Sequence, residues 1–205
     1  MPSIYGLKPK FQGFLRPITN ALAHAGMTAN QVTVSAMLLS FATGLAILHF
    51  RSMRVLLLLP AVLFLRMALN TIDGMLAREH NQKSAVGAIL NELGDVFSDA
   101  AFYLPLATFL PFDTALMMLI VLLAVICEMT GVVAVQIGAS RRYDGPMGKS
   151  DRAFVFGTLG LLLGLQLPIF RVVIPVQWIV LVLLLATIVN RARGALRELR
   201  GRTSR

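Results

Sequence analysis

Asn70-Thr71-Ile72-Asp73-Gly74-Met75-Leu76-Ala77-Arg78, then eight residues, then Gly87, Asn91, Asp95 and Asp99, is the stretch that decides what this chain is. Five of the ten acidic residues (Asp73, Glu79, Glu92, Asp95 and Asp99) fall between positions 73 and 99. Around them the chain is 57% hydrophobic and 14% charged, with a mean hydropathy of +0.74. A water-soluble domain carries roughly 25% charge. The composition therefore predicts an all-α integral membrane protein, one domain over 1–205. Ionisable groups at membrane depth are costly, so a cluster of them marks function.

Six apolar segments, about 31–50, 54–77, 87–110, 114–138, 153–170 and 174–191, each approach the roughly 20 residues that span hydrocarbon. Residues 4–24 alternate Lys8, Lys10 and Arg16 with Phe11, Phe14, Leu15, Ile18 and Leu22, the pattern of an interfacial amphipathic helix. The expected plan is an amphipathic interfacial segment over 1–30, a six-helix bundle over 31–191 and a basic cytoplasmic tail over 192–205. No secretory signal peptide is visible. Cys127 is the single cysteine and sits in an apolar run, so no intrachain disulfide is expected.

Lys and Arg counts set the orientation. With the N-terminus in the cytoplasm, fifteen basic residues flank the cytoplasmic ends, against Arg51, Arg54 and Arg171 on the far side. Both termini are then cytoplasmic. The net charge of +9 reflects this asymmetry and a basic tail. Without a recognition module, it does not argue for nucleic acid.

At 100° per residue, Arg66, Asn70, Asp73 and Ala77 share an arc of about 60° on the second span, and Asn91, Asp95 and Asp99 one of about 80° on the third. Pairing equal depths sets Asp73 opposite Asn91, Asn70 opposite Asp95 and Arg66 opposite Asp99. Glu128 in the fourth span is expected to join Arg66 and Asp99 in a buried charge-paired group. Hard oxygen ligands on an open mouth suit Mg²⁺, Mn²⁺ or Ca²⁺. Gly74, Ala77 and Gly87 remove side-chain bulk, which serves close helix packing or approach of a phosphorylated ligand to the backbone.

The spacing N-x2-D-G-x2-A-R-x8-G-x3-N-x3-D resembles the CDP-alcohol phosphatidyltransferase signature D-x2-D-G-x2-A-R-x8-G-x3-D-x3-D at every step. Gly26-Met27-Thr28-Ala29-Asn30-Gln31-Val32-Thr33 is similar to the family's G-x-T-P-N-x-x-T, and Gly145 to Arg152 resembles its basic acceptor loop. The resemblance implies six spans, a homodimer in a bacterial inner membrane, a divalent cation, and phosphatidyl transfer from CDP-diacylglycerol to a small alcohol with release of CMP; the basic loop leads to the expectation that this alcohol is phosphorylated. By position it makes Asp95 the general base and Asp73 and Asp95 metal ligands, joined by the carbonyl oxygens of Asn70 and Asn91. Thr28, Asn30, Thr33, Asp73, Gly74, Ala77, Arg78 and Gly87 are candidates for the nucleotide and lipid donor, with helix capping the other role open to Thr28. Arg141, Arg142, Lys149 and Arg152 are candidates for a phosphate on the acceptor, with ordinary inside-loop charge as the alternative.

Two family aspartates are Asn70 and Asn91 here. Asn offers a carbonyl oxygen without charge. Asp73 and Asp95 alone neutralise one divalent ion, so one strong Mg²⁺ or Mn²⁺ site is expected, with a second dependent on substrate phosphates. The alternative function is a catalytically weak pseudoenzyme that binds CDP-lipid or CMP. A transporter is the third class, and the signature spacing argues against it.

Overall fold

The computed structural model describes residues 8–203, and all its regular elements are helical. They are α1 (Lys8–His24), α2 (Ala29–Phe50), α3 (Leu58–Glu79), α4 (Ala85–Tyr103), α5 (Thr114–Gln136), α6 (Lys149–Gly164) and α7 (Phe170–Thr203). Short 3-10 turns, Met53–Leu57 and Leu104–Thr108, lead into α3 and out of α4. Residues 1–7 and 204–205 of the expected interfacial segment and basic tail, with the side chain of Lys8, lie outside the described residues.

Among the described residues, α2, α5, α7 and α3 with its leading turn are long and apolar enough to cross a membrane. The other two helices fall short for different reasons: α4 carries Glu92, Asp95 and Asp99, and α6 has 16 residues. Both nevertheless complete a ring. α2 packs on α3, α3 on α6, α6 on α7, α7 on α5, α5 on α4, and α4 on α2. The apolar core within it draws on Leu59, Phe102, Leu106, Met117, Ile120, Phe156 and Val180.

One expectation needs correction. Helices α3 and α4, drawn as packed neighbours, instead both pack on α2 and face one another across a cleft bridged by side chains. The close α2–α4 approach depends on Gly44, where any Cβ would strike the Ala101 carbonyl. Beyond the apolar run, α7 continues as helix to Thr203, so the described part of the basic tail is helical. Ala195 and Leu199 pack on Ala134 and Ala139, and Glu198 pairs with Arg202 at 2.6 Å one turn on.

Helix α1 seats Leu15, with Phe11 and Leu22 beside it, on Ile72, Met75 and Leu76 of α3. Phe14 and Ile18 remain exposed. Arg16 bonds Glu79 at 3.0 and 3.2 Å, clamping α1 to the end of α3.

Candidate active site

The loop between α3 and α4 docks on the start of α2. Thr28 caps α2 by accepting from the Gln31 amide at 3.2 Å, while the Gln31 side chain accepts from the Thr28 amide at 2.8 Å. The capping box thus gives Thr28 a structural role at the start of α2. The Ala29 amide donates to Gln82 at 2.7 Å. Ser84 caps α4 by accepting from the Gly87 amide at 2.9 Å. A Cβ on Gly87 would lie 2.6 Å from the Asn30 side-chain oxygen, so this glycine lets Asn30 rest on α4. The exposed Arg78 side chain lies over Gly74, where a Cβ would meet its guanidinium at 3.1 Å.

The signature acids lie deeper. Asp73 is buried and accepts from the Thr33 hydroxyl at 2.8 Å, which ties α3 to α2. Asp95 faces it from α4 with three donors on Oδ1: Lys149 at 2.5 Å, Arg66 at 3.2 Å and Asn70 at 3.2 Å. The expected Asn70–Asp95 pairing is therefore present. Asn91, expected opposite Asp73, is exposed at the mouth, and Thr33 is the side chain bonded to Asp73.

One turn below is a hub of buried ions. Asp99 takes Arg66 at 2.8 Å on one oxygen and Arg152 at 2.8 and 3.1 Å on the other. Glu128 of α5 accepts from Arg152 at 3.1 Å, Arg191 at 3.1 Å and Arg141 at 3.2 Å. The expected Arg66–Asp99 pair forms. Glu128 joins it through Arg152, which stands between the two acids. Arg141 also grips Glu92 at 2.7 and 3.0 Å. Its guanidinium passes over Gly131, where a Cβ would collide with it. Arg142 is spent on Asp144 at 2.6 Å and Glu198 at 3.2 Å. Hydrogen bonds from Ser140, with Arg202 and Arg142 nearby, hold the Glu198 carboxyl below the usual carboxylate range.

The match to the CDP-alcohol phosphatidyltransferase family covers residues 26–190, the two interlocked signature helices among them. The chain belongs to the CDP-alcohol phosphatidyltransferase family. Inner membrane protein YnbA of Escherichia coli (strain K12) is 46% identical over 196 residues, covering 95% of this chain and 96% of that protein. The fold is that of Mycobacterium tuberculosis phosphatidylinositol phosphate synthase. Its structure with CDP-DAG bound superposes with a TM-score of 0.72 at 21% identity, covering 87% of this chain and 92% of that one. Its complex with manganese and citrate gives 0.73 at 21% identity over 88% of each chain.

No three of His, Cys, Asp and Glu come together as a metal cage among the described residues. The oxygen donors at the mouth are the carboxylates of Asp73 and Asp95 and the amide carbonyls of Asn70 and Asn91. They fit a hard cation, with Arg66 and Lys149 already sharing the Asp95 carboxylate. Sequence reasoning missed Arg191, which reads as tail charge, and Gly131. Only the arginine's position at the end of an apolar run hints at its place.

Proposed function

We propose that the chain is a membrane-embedded transferase that moves a phosphatidyl group from CDP-diacylglycerol to a small alcohol and releases CMP. The observation that carries this is the meeting of Asp73 and Asp95 in one polar cleft, with Thr33 and Asn70 fixing them at 2.8 and 3.2 Å. The ring is read as six spans, with α4 and α6 crossing because their charged sides face inward. Both termini then lie on the cytoplasmic side of a bacterial inner membrane, and α1 rests on the headgroups with Phe14 and Ile18 in lipid. The functional unit is proposed to be a homodimer.

Thr28 at the cap of α2 and Asn30 and Thr33 within it, with Gly74, Ala77, Arg78 and Gly87, form the donor side, where small residues leave room for the diphosphate. A divalent cation, Mg²⁺ or Mn²⁺, would be held by Asp73, Asp95, Asn70 and Asn91, and when bound it withdraws charge from the phosphoryl oxygens and steadies the leaving CMP. Asp95 takes the proton of the alcohol as its oxygen bonds to the phosphatidyl phosphorus and the bond from that phosphorus to CMP breaks. Lys149, already on the Asp95 carboxylate, marks where the alcohol approaches. Arg141 and Arg142 border that approach. Arg152 is fully buried and saturated by Asp99, Glu128 and the Met147 carbonyl. Its role in the acceptor side is to position Asp99, not to touch substrate.

CMP release from CDP-diacylglycerol, with Mg²⁺ or Mn²⁺ and a panel of alcohols, tests the proposal. Release that requires both metal and alcohol is expected. Binding of the lipid nucleotide with no release for any alcohol would make the chain a binder and overturn the transferase reading.

A further inference from the structure

The basic residues that crowd the acceptor side have no charge to spare. Arg66, Arg141, Lys149, Arg152 and Arg191 bring five positive charges to the polar core; Asp73, Glu92, Asp95, Asp99 and Glu128 bring five negative ones. All five cations are paired: Arg66 and Lys149 on Asp95, Arg66 and Arg152 on Asp99, Arg141 on Glu92, and Arg141, Arg152 and Arg191 on Glu128. Glu128 is the keystone. It comes from the middle of an otherwise apolar helix, is 8% exposed, and takes up three guanidinium groups that would otherwise face the cleft.

The donor's diphosphate brings two negative charges, which a divalent ion offsets. A phosphate monoester on the acceptor would then add nearly two more negative charges with no counter-ion. It would also face Glu92 and Glu128, and buried charge without a partner is strongly disfavoured. We infer that the acceptor is an uncharged alcohol, and that Glu128, by occupying the arginines from within, excludes phosphorylated acceptors. This replaces the expectation of a phosphorylated acceptor drawn from the basic loop, whose arginines look free in the sequence and are spent in the fold. The inference rests on the transferase reading for its chemistry and on the ion pairs for its direction.

The test compares matched acceptors, glycerol with glycerol 3-phosphate and inositol with inositol phosphate, using CMP release by the purified full-length protein. The wild-type kcat/KM should favour the unphosphorylated member by at least about tenfold, the scale of a like-charge penalty. Glu128→Gln keeps the shape and removes the charge, and should move that ratio toward the phosphorylated member by about tenfold. Glu92→Gln, at the half-buried end of the same network, should move it the same way by less, and serves if the first variant fails to fold. Wild-type preference for the phosphorylated acceptor, or a ratio unmoved by either variant, would overturn the inference. Titration with inorganic phosphate gives a readout that needs no turnover: weak or absent binding to wild type and clear binding to Glu128→Gln are expected. Tight phosphate binding by wild type would overturn the inference even if no alcohol supported CMP release, an outcome that would separately defeat the transferase reading.

Discussion

Asp95 and Asp99 stand one turn apart on α4 and live in opposite surroundings. The Asp95 side chain is 23% exposed, and its bonded oxygen carries a lysine, an arginine and an amide, two of them on partly exposed side chains. The Asp99 side chain is 6% exposed and is locked between two arginines whose own side chains are 3% and 0% exposed. The first environment leaves a carboxylate reachable by ligand; the second turns one into scaffold. The cleft therefore divides into a mouth built for exchange and a hub built to hold five helices at fixed distance.

The largest effect should come from breaking the hub. Arg152→Ala leaves Asp99 and Glu128 short of a buried partner and should cost about 3–5 kcal/mol of stability. Unfolding in detergent would show it, while Asp95→Asn should shift the same transition by no more than about 1 kcal/mol. Equal losses would erase the distinction between mouth and hub.

Metal binding sharpens the mouth side. Substrate-free protein should bind one divalent ion by calorimetry, and combining Asn70→Asp with Asn91→Asp should add a second site. Two tightly bound ions in the unmodified protein would show that the charge argument is wrong. Lys149→Ala should raise the KM for the alcohol by about tenfold and that for CDP-diacylglycerol less, because a contact made at the acceptor is lost. An equal rise for both would assign Lys149 to folding of the loop.

The smallest effect lies at the surface. The hydrogen bond from Arg16 holds the Glu79 carboxyl below its usual range. The α1–α3 clamp therefore contributes above the unfolded Glu value of about 4.3 and is lost as pH falls through the lower folded value. The protection of α1 amides against hydrogen exchange, taken relative to the intrinsic rate at each pH, should fall at acid pH in the wild type, and in Glu79→Gln should already be lower at neutral pH with little further change on acidification. An α1 that exchanges alike in both proteins would remove the clamp from the account.

The mouth was readable from sequence because its residues recur on one face of each of two adjacent helices. The fixed spacing placed Asn70 by Asp95 and Arg66 by Asp99, and both pairs are bonded. The hub was not readable to the same degree. Arg152 meets Asp99 across 53 residues and Arg191 meets Glu128 across 63, and no periodicity links such positions. The packing of α2 against both α3 and α4 was hidden for a related reason. It depends on the bare backbone of Gly44 against Ala101, which hydropathy does not register. The helical continuation of α7 was masked by its arginines, whose partners Glu198 and Glu128 lie on the helix itself and on α5.

The most direct test of the account is CMP release by Asp95→Asn alongside its binding of CDP-diacylglycerol. If Asp95 takes the alcohol's proton, turnover should fall by roughly 10²–10⁴-fold while the donor still binds. Turnover close to wild type in a variant that still binds the donor would contradict the assignment of Asp95 as the base and, with it, the division between a working mouth and a structural hub.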